Sequence, residues 1–271
     1  MKIIKGKKAR PRKIEIYGPH GIGKSTAASQ APSPVFLSTE DGLGDIDCDR
    51  TPLLKTMAEF NTALLSLSED DHSYRTVVID TVDWLERLIW KQVADENDKK
   101  SIEEIPYARG YKLALKQWGS VLANLDNLRL RKNMSIILVA HKKDAKVEPP
   151  DGEAFTRYEP DLHKTVSPLI MEWADEVLYV GYKVNQISKG EGFDKRHVAV
   201  GNGERVCYCT EKPTHLAKNR LNLPDEIPFT WEAYASHVRA VYATYKEPNK
   251  AGNIAGVVKD GHSKPENRET K

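Results

Sequence analysis

The sequence predicts an α/β fold with a mostly parallel central sheet flanked by helices. Three observations point that way. Short β-branched runs, Thr76-Val77-Val78-Ile79 and Ser135-Ile136-Ile137-Leu138-Val139-Ala140 among them, alternate with segments whose apolar residues recur at helical spacing. That alternation builds βαβ units and so parallel strands. Past residue 176 the pattern changes to consecutive strands joined by Gly-containing turns, which adds antiparallel strands toward the C-terminus.

The elements follow in order. Residues 1–13 carry seven Lys/Arg and no acid, and read as a basic N-terminal arm, either solvated or contacting phosphate. Ile14, Ile16 and Tyr17 form a short strand ending at Gly18. A Gly-rich turn leads into a helix from Gly23 to about Ala31, stopped by Pro32 and Pro34. Val35–Thr39 is a second buried strand, and Glu40–Pro52 an acidic loop. Leu53, Met57, Phe60, Leu64 and Leu67 give one helical stripe. Thr76–Ile79 is a strand closing on Asp80, and Leu85, Leu88, Ile89 and Gln92 mark the next helix. Residues 95–106 read as loop, and a long helix then carries Trp118, Val121, Leu122, Leu125 and Leu128 on one face.

Ser135–Ala140 is the clearest strand. Residues 141–168 are polar and aperiodic and read as a long loop, functional or disordered. After a short helix (Leu169, Ile170, Trp173), Val177–Val184, His197–Val200 and Arg205–Thr210 predict three strands. Residues 230–245 predict a last amphipathic helix, and the polar tail 246–271 reads as disordered. The globular unit is therefore 14–245.

Composition removes several classes. No apolar run approaches the roughly 18 residues of a membrane span. Three cysteines cannot build a disulfide framework, and a reducing cytoplasm is the expected location. Cys207 and Cys209 alternate on a strand near His215, but no fourth ligand is evident, so packing is favoured over metal. Forty-one basic against 39 acidic residues leave a net charge of +2, so any nucleic-acid site must be a local patch.

The strongest motif is Gly18-Pro19-His20-Gly21-Ile22-Gly23-Lys24-Ser25, which fits GxxxxGK[ST] between a strand and a helix. Its amides and the helix start suit a phosphate, with Thr26 completing the segment. Lys24 would reach the terminal phosphates and Ser25 would ligate magnesium. Asp80, at a strand end, suits the same metal, or caps the following helix; the two roles are compatible. Glu40 follows the second strand and could orient the attacking water, or belong to a solvated acidic loop with Asp41, Asp45, Asp47 and Asp49. His141 ends a third strand and could meet the γ-phosphate or be structural.

Together these segments resemble the RecA-like P-loop NTPase core over about residues 12–245. Val35–Asp41 resembles the RecA-family strand ending in its catalytic glutamate, here Glu40. Thr76–Asp80 resembles the Walker B strand. Ser135–His141 resembles the strand ending in the phosphate-sensing glutamine, replaced here by His141. Ala217-Lys218-Asn219-Arg220 resembles the segment whose basic residues reach the neighbouring subunit's nucleotide, and this implies that role for Lys218 and Arg220. Size and detail, including Tyr107-Ala108-Arg109-Gly110-Tyr111, are similar to the phage-encoded minimal RecA-like single-strand annealing and recombination ATPases.

The resemblance implies an ATP- and Mg2+-dependent hydrolase, in the host cytoplasm if phage-encoded. It also implies a homo-oligomer, ring or filament, with ATP at the subunit interface. Single-stranded DNA is the implied partner, with a single-strand-binding protein as a further candidate. The implied DNA residues are Arg109 and Lys112 in one loop, and Lys142, Lys143, Lys146, Arg157 and Lys164 in another. Two alternatives remain open: a P-loop ATPase acting on a protein partner in replication, as a helicase loader does, and a nucleotide-gated binding module with negligible turnover.

Overall fold

A computed structural model describes residues 3, 6–150, 152–189 and 196–245; the predicted disordered tail 246–271 lies outside them. Its strands are β1 (Lys13–Gly18), β2 (Pro34–Ser38), β3 (Asp49–Arg50), β4 (Thr76–Asp80), β5 (Ser135–Val147), β6 (Phe155–Pro160), β7 (Glu176–Lys189), β8 (Arg196–Tyr208), β9 (Lys218–Asn219) and β10 (Glu226–Pro228). Its helices are α1 (Lys24–Ala28), α2 (Met57–Glu69), α3 (Val82–Glu96), α4 (Arg109–Arg131), α5 (Val166–Trp173) and α6 (Trp231–Ala243). The strands form one sheet in the order β10-β8-β7-β1-β5-β4-β2-β3, with β6 on β5 and β9 on β7. Pairing is parallel from β7 through β1, β5, β4 and β2 to β3, and antiparallel at β7–β8, β8–β10, β7–β9 and β5–β6. The predicted fold class is the one observed.

Strand periodicity sorts the core into two layers. Val35, Leu37, Val77, Ile79, Ile136 and Leu138 face one layer with the apolar stripes of α2, α3, α4 and α5. Ile14, Ile16, Phe36, Val78, Ile137 and Val139 face the other, with α1 and Tyr234 of α6. Trp118, Phe60 and Leu125 are fully buried in the first layer. No described helix is long and apolar enough to cross a membrane.

Four local expectations are corrected. The helix after the phosphate loop ends at Ala28, because Gln30 and Ala31 donate back to the carbonyls of Ala27 and Ala28 in tighter turns ahead of Pro32. The α2 stripe begins at Met57, where Thr56 and Glu59 form a capping box, and Leu53 is exposed. The segment 141–168 is not a loop throughout: β5 runs on to Val147 and pairs with β6 as a hairpin. Lys142–Lys146 lack the β-branched residues that mark strands, because this ribbon leaves the core and needs no apolar face. The predicted strands 197–200 and 205–210 are one strand, β8. Gly201 and Gly203 fall at a register irregularity opposite Tyr182–Val184 rather than in a turn.

The basic segment before β1 is partly built into the fold. Arg12 donates to both carboxylate oxygens of buried Glu176, and Arg10 pairs with buried Asp175 at 2.7 Å.

Candidate active site

Parallel register sets the site. Gly18 of β1 lies opposite His141 of β5, Asp80 of β4 opposite Val139, and Ser38 of β2 opposite Asp80. Gly18, Asp80, His141 and Glu40, two residues past β2, therefore meet at the carboxyl edge of the sheet. Ligands of open α/β sheets bind at that edge.

The loop from Gly18 to Ser25 is shaped by close approaches. A Cβ on Gly18 would lie 2.4 Å from the Val180 carbonyl oxygen of β7. Gly23 has φ +97°, and a Cβ there would meet Arg205 Nη1 at 2.7 Å. Arg205 reaches across from β8 and donates to the Ile22 carbonyl at 3.1 Å.

A cleft of about 270 Å³ opens over this loop, lined by His20, Gly21, Gly23, Lys24, Ser25, Thr26, Glu40, Asp80, Thr81 and His141. Lys24 is buried, and its ammonium donates to the carbonyls of Gly18 (3.1 Å) and Pro19 (2.8 Å). Burial pulls its pKa down, while Asp80, Asp83 and Glu40 pull it up; the net direction is down. Burial raises the Asp80 pKa from its ordinary value, against the hydrogen bond it accepts from the Ser25 hydroxyl. Glu40 accepts from the Thr81 hydroxyl at 3.3 Å, and its carboxylate lies 3.9 Å from His141 Nε2.

His141 is fixed on its other side. Its main-chain N–H and its Nδ1 both bond Asp83, at 3.1 and 2.9 Å. Burial would raise Asp83, but the hydrogen bond and charge of His141 outweigh it and hold the carboxyl below its ordinary value. An ionised Asp83 assigns the Nδ1 proton, so Nε2 faces Glu40 and the cleft. The His20 ring stacks on His141 with centroids 3.7 Å apart.

The donor set suits magnesium. The Ser25 hydroxyl and Asp80 carboxylate are adjacent hard oxygens, and Mg2+ takes few protein ligands beside phosphate and water. Among the described residues no group of three or more His, Cys, Asp or Glu could hold an ion unaided. Cys207 and Cys209 are buried in the second layer.

The chain belongs to the AAA domain family. The match covers residues 10–221, most of the described fold. The chain is similar to the SPbeta prophage-derived protein YorG of Bacillus subtilis (strain 168), 21% identical over 216 residues. That match spans 78% of this chain and only 60% of YorG. Among solved structures it is similar to the crystal structure of the RadB recombinase, with a TM-score of 0.44 and 12% identity over 83% of this chain and 90% of that one.

The residues expected from the sequence divide into three groups. Gly18 to Thr26, Glu40, Asp80 and His141 come together. Lys218 and Arg220 lie at the opposite edge, because β9 pairs with the start of β7, where Val177 faces Lys218 and Glu176 faces Asn219. Ile14 pairs with Glu176, so the span from Ile14 to Gly18, about 13 Å at ~3.3 Å per residue, separates them from Gly18. Both are engaged within the chain. Lys218 donates to the carbonyls of Met171, Glu172 and Ala174 at the end of α5, and Arg220 pairs with Asp175 at 3.3 Å.

The DNA candidates split as well. Lys142, Lys146 and Arg157 pair with Asp144, Glu148 and Glu159 at 2.6–2.7 Å, and Lys143 donates to the Leu162 carbonyl. Arg109, Lys112 and Lys164 are exposed and have no acid partner among the described residues.

Asp83 and Arg205 escaped the sequence reading. A second acid three residues past Asp80 was the available signal for Asp83. Arg205 had none, since its approach depends on the long-range β7–β8 pairing.

Proposed function

We propose that the protein is a magnesium-dependent ATP hydrolase of RecA-like type that acts on single-stranded DNA in annealing or recombination, encoded by a phage. The carrying observation is the convergence of Lys24, Ser25, Asp80, Glu40 and His141 on one cleft at the carboxyl edge of the sheet. In this reading the loop amides and Lys24 hold the phosphates, and Ser25 and Asp80 hold magnesium, which would supply charge neutralisation at the β- and γ-phosphates. Glu40 orients the attacking water, restrained by Thr81 and by His141. His141 Nε2 faces the same volume. Residues 14–245 form the ATPase unit.

The single-strand part draws support from the sequence resemblance and from the exposed cations Arg109, Lys112 and Lys164. Assembly into a ring or filament belongs to the same proposal. The intramolecular bonds of Lys218 and Arg220 speak against their reaching a neighbour's nucleotide without releasing Asp175 and the end of α5. The neutralised hairpin cations favour a second reading, a protein partner on β5–β6.

The deciding experiment is phosphate release from ATP and magnesium, with and without single-stranded DNA, for the native chain and Lys24→Ala. Release stimulated by DNA and lost in Lys24→Ala is the expected result. Release indifferent to DNA would keep the hydrolase and move the search to a protein partner. ATP binding with no release would leave a nucleotide-gated module.

A further inference from the structure

A cation reaches the phosphate loop from a strand that does not line the cleft. Arg205 of β8 pairs with Tyr182 of β7, and its carbonyl accepts the main-chain N–H of Phe229 at 3.2 Å. The next residue, Val206, is buried and pairs with Gly181 on one side and Pro228 on the other. The Arg205 side chain therefore starts from a strand held on both sides. Its Nη1 donates to the Ile22 carbonyl at 3.1 Å and lies 2.7 Å from where a Cβ of Gly23 would stand. No acid pairs with this guanidinium among the described residues. Gly23 lines the cleft and Arg205 does not.

The main-chain groups of the loop divide by kind. Its carbonyls are engaged: Lys24 takes Gly18 and Pro19, the N–H of Ala27 takes Gly23, and Arg205 takes Ile22. Its N–H groups from His20 to Ser25 donate to no main-chain carbonyl among the described residues, which leaves them for an anion. The N–H of Gly23 belongs to the same peptide unit as the Ile22 carbonyl. A charged donor on that carbonyl fixes the plane of the peptide and polarises it, so the N–H is both aimed and strengthened as a donor. Gly23 stands at φ +97°, and glycine by itself leaves its flanking peptides free to turn. The carbonyl bond sets what the residue leaves open. Lys24 already bonds two other loop carbonyls and is to be shared with the phosphates, so it does not serve this peptide.

We propose that Arg205 is a positioning residue for nucleotide binding. Through the Ile22 carbonyl it holds the Ile22–Gly23 peptide with its N–H toward the phosphates. It touches no phosphate itself, so it serves a nucleoside diphosphate and triphosphate alike, and it acts on binding rather than on cleavage. The inference rests on the nucleotide reading of the cleft above and adds to it a residue from the antiparallel part of the sheet.

The test is titration of the full chain with magnesium and ADP, and with magnesium and a non-hydrolysable ATP analogue, for the native protein, Arg205→Met and Arg205→Lys. Arg205→Met keeps an unbranched apolar stem and removes every N–H. Arg205→Lys restores one cationic donor, enough for one carbonyl bond. The Kd for both nucleotides should rise at least about fivefold in Arg205→Met, as for loss of a charged hydrogen bond, and return to within about twofold of native in Arg205→Lys. In steady-state hydrolysis the loss should fall on KM for ATP rather than on kcat. The melting temperature without nucleotide reports that each variant is folded. Arg205 is exposed, and Arg205→Ala gives the same comparison should Arg205→Met fail to fold. An unchanged Kd in the folded variant overturns the inference. A rise that Arg205→Lys does not reverse assigns the effect to packing of the stem and overturns it as well. Weakened binding of the triphosphate analogue alone would put Arg205 on the γ-phosphate and overturn the positioning role. Binding of neither nucleotide by the native chain overturns the nucleotide reading itself.

Discussion

Asp83 is the residue on which the geometry of the phosphate cleft turns. Besides a hydrogen bond from Thr81, it takes both the main-chain and ring N–H of His141. It is a positioning residue: it sets which ring nitrogen faces Glu40. Asp83→Asn keeps the shape but offers one acceptor for two donors, so the ring loses its fixed tautomer. We expect kcat for ATP hydrolysis to fall about tenfold or more, as for loss of an oriented acid–base group, with KM for ATP within about twofold of native. Steady-state kinetics decide it. A raised KM at unchanged kcat would mean that Asp83 serves binding instead. Legibility at this scale followed chain locality. Lys24, Ser25, Asp80, Glu40 and His141 each sit at a motif or a strand end and were readable. Glu86 and Arg205 act through partners 77 and 183 positions away in the sequence, His163 and Ile22, and no local pattern announces them.

At the scale of elements, the approach of β1 to β7 limits what the phosphate loop can tolerate. Gly18 ends β1 against the Val180 carbonyl, a backbone atom that cannot rotate away. Gly18→Ala should therefore destabilise the fold by about 1–3 kcal/mol, the usual cost of overpacking, outweighing the smaller gain from a stiffer unfolded chain. Urea denaturation measures it, and an unchanged midpoint would show that β7 yields. The same contact explains which elements were legible. Strands buried on both faces, such as β4 and the first half of β5, carry dense β-branched runs. The outer half of β5 pairs only with β6 and is edged by Lys142, Lys146 and Asp144, so its sequence looks like loop. β8 was divided by its glycines, because a bulge and a turn use the same residues.

Across the whole molecule, the two edges of the sheet hold opposite electrostatic arrangements. The carboxyl edge gathers Lys24, Asp80, Asp83 and Glu40 around a cleft. The amino edge is closed by Arg10, Arg12, Arg129 and Arg220 on buried Asp175 and Glu176, with Tyr234 of α6 donating to Glu176 at 3.1 Å. Burial would raise Asp175, but Arg12 and Arg10 outweigh it and hold the carboxyl below its ordinary value. That pairing contributes stability at neutral pH, lost as pH falls through the folded pKa. Between the edges, Glu15 of β1 is buried in the sheet with Oε1 unpaired, and burial pushes its pKa up to about 8. Glu86 is likewise pushed up by burial, to about 7. From about pH 4.5 to those values the unfolded chain has released these protons while the folded chain keeps them. The folded state then binds more protons, and stability falls with rising pH by up to about 1.4 kcal/mol per unit for each group. The two trends set maximum stability near mildly acidic pH. Glu15→Met removes the larger of the falling contributions, and should stabilise the fold more at pH 8 than at pH 5, by about 2–4 kcal/mol. Urea unfolding at the two pH values is the measurement. A gain equal at both would mean that Glu15 ionises in the folded state as readily as in the unfolded chain, with a buried partner supplied by the fold.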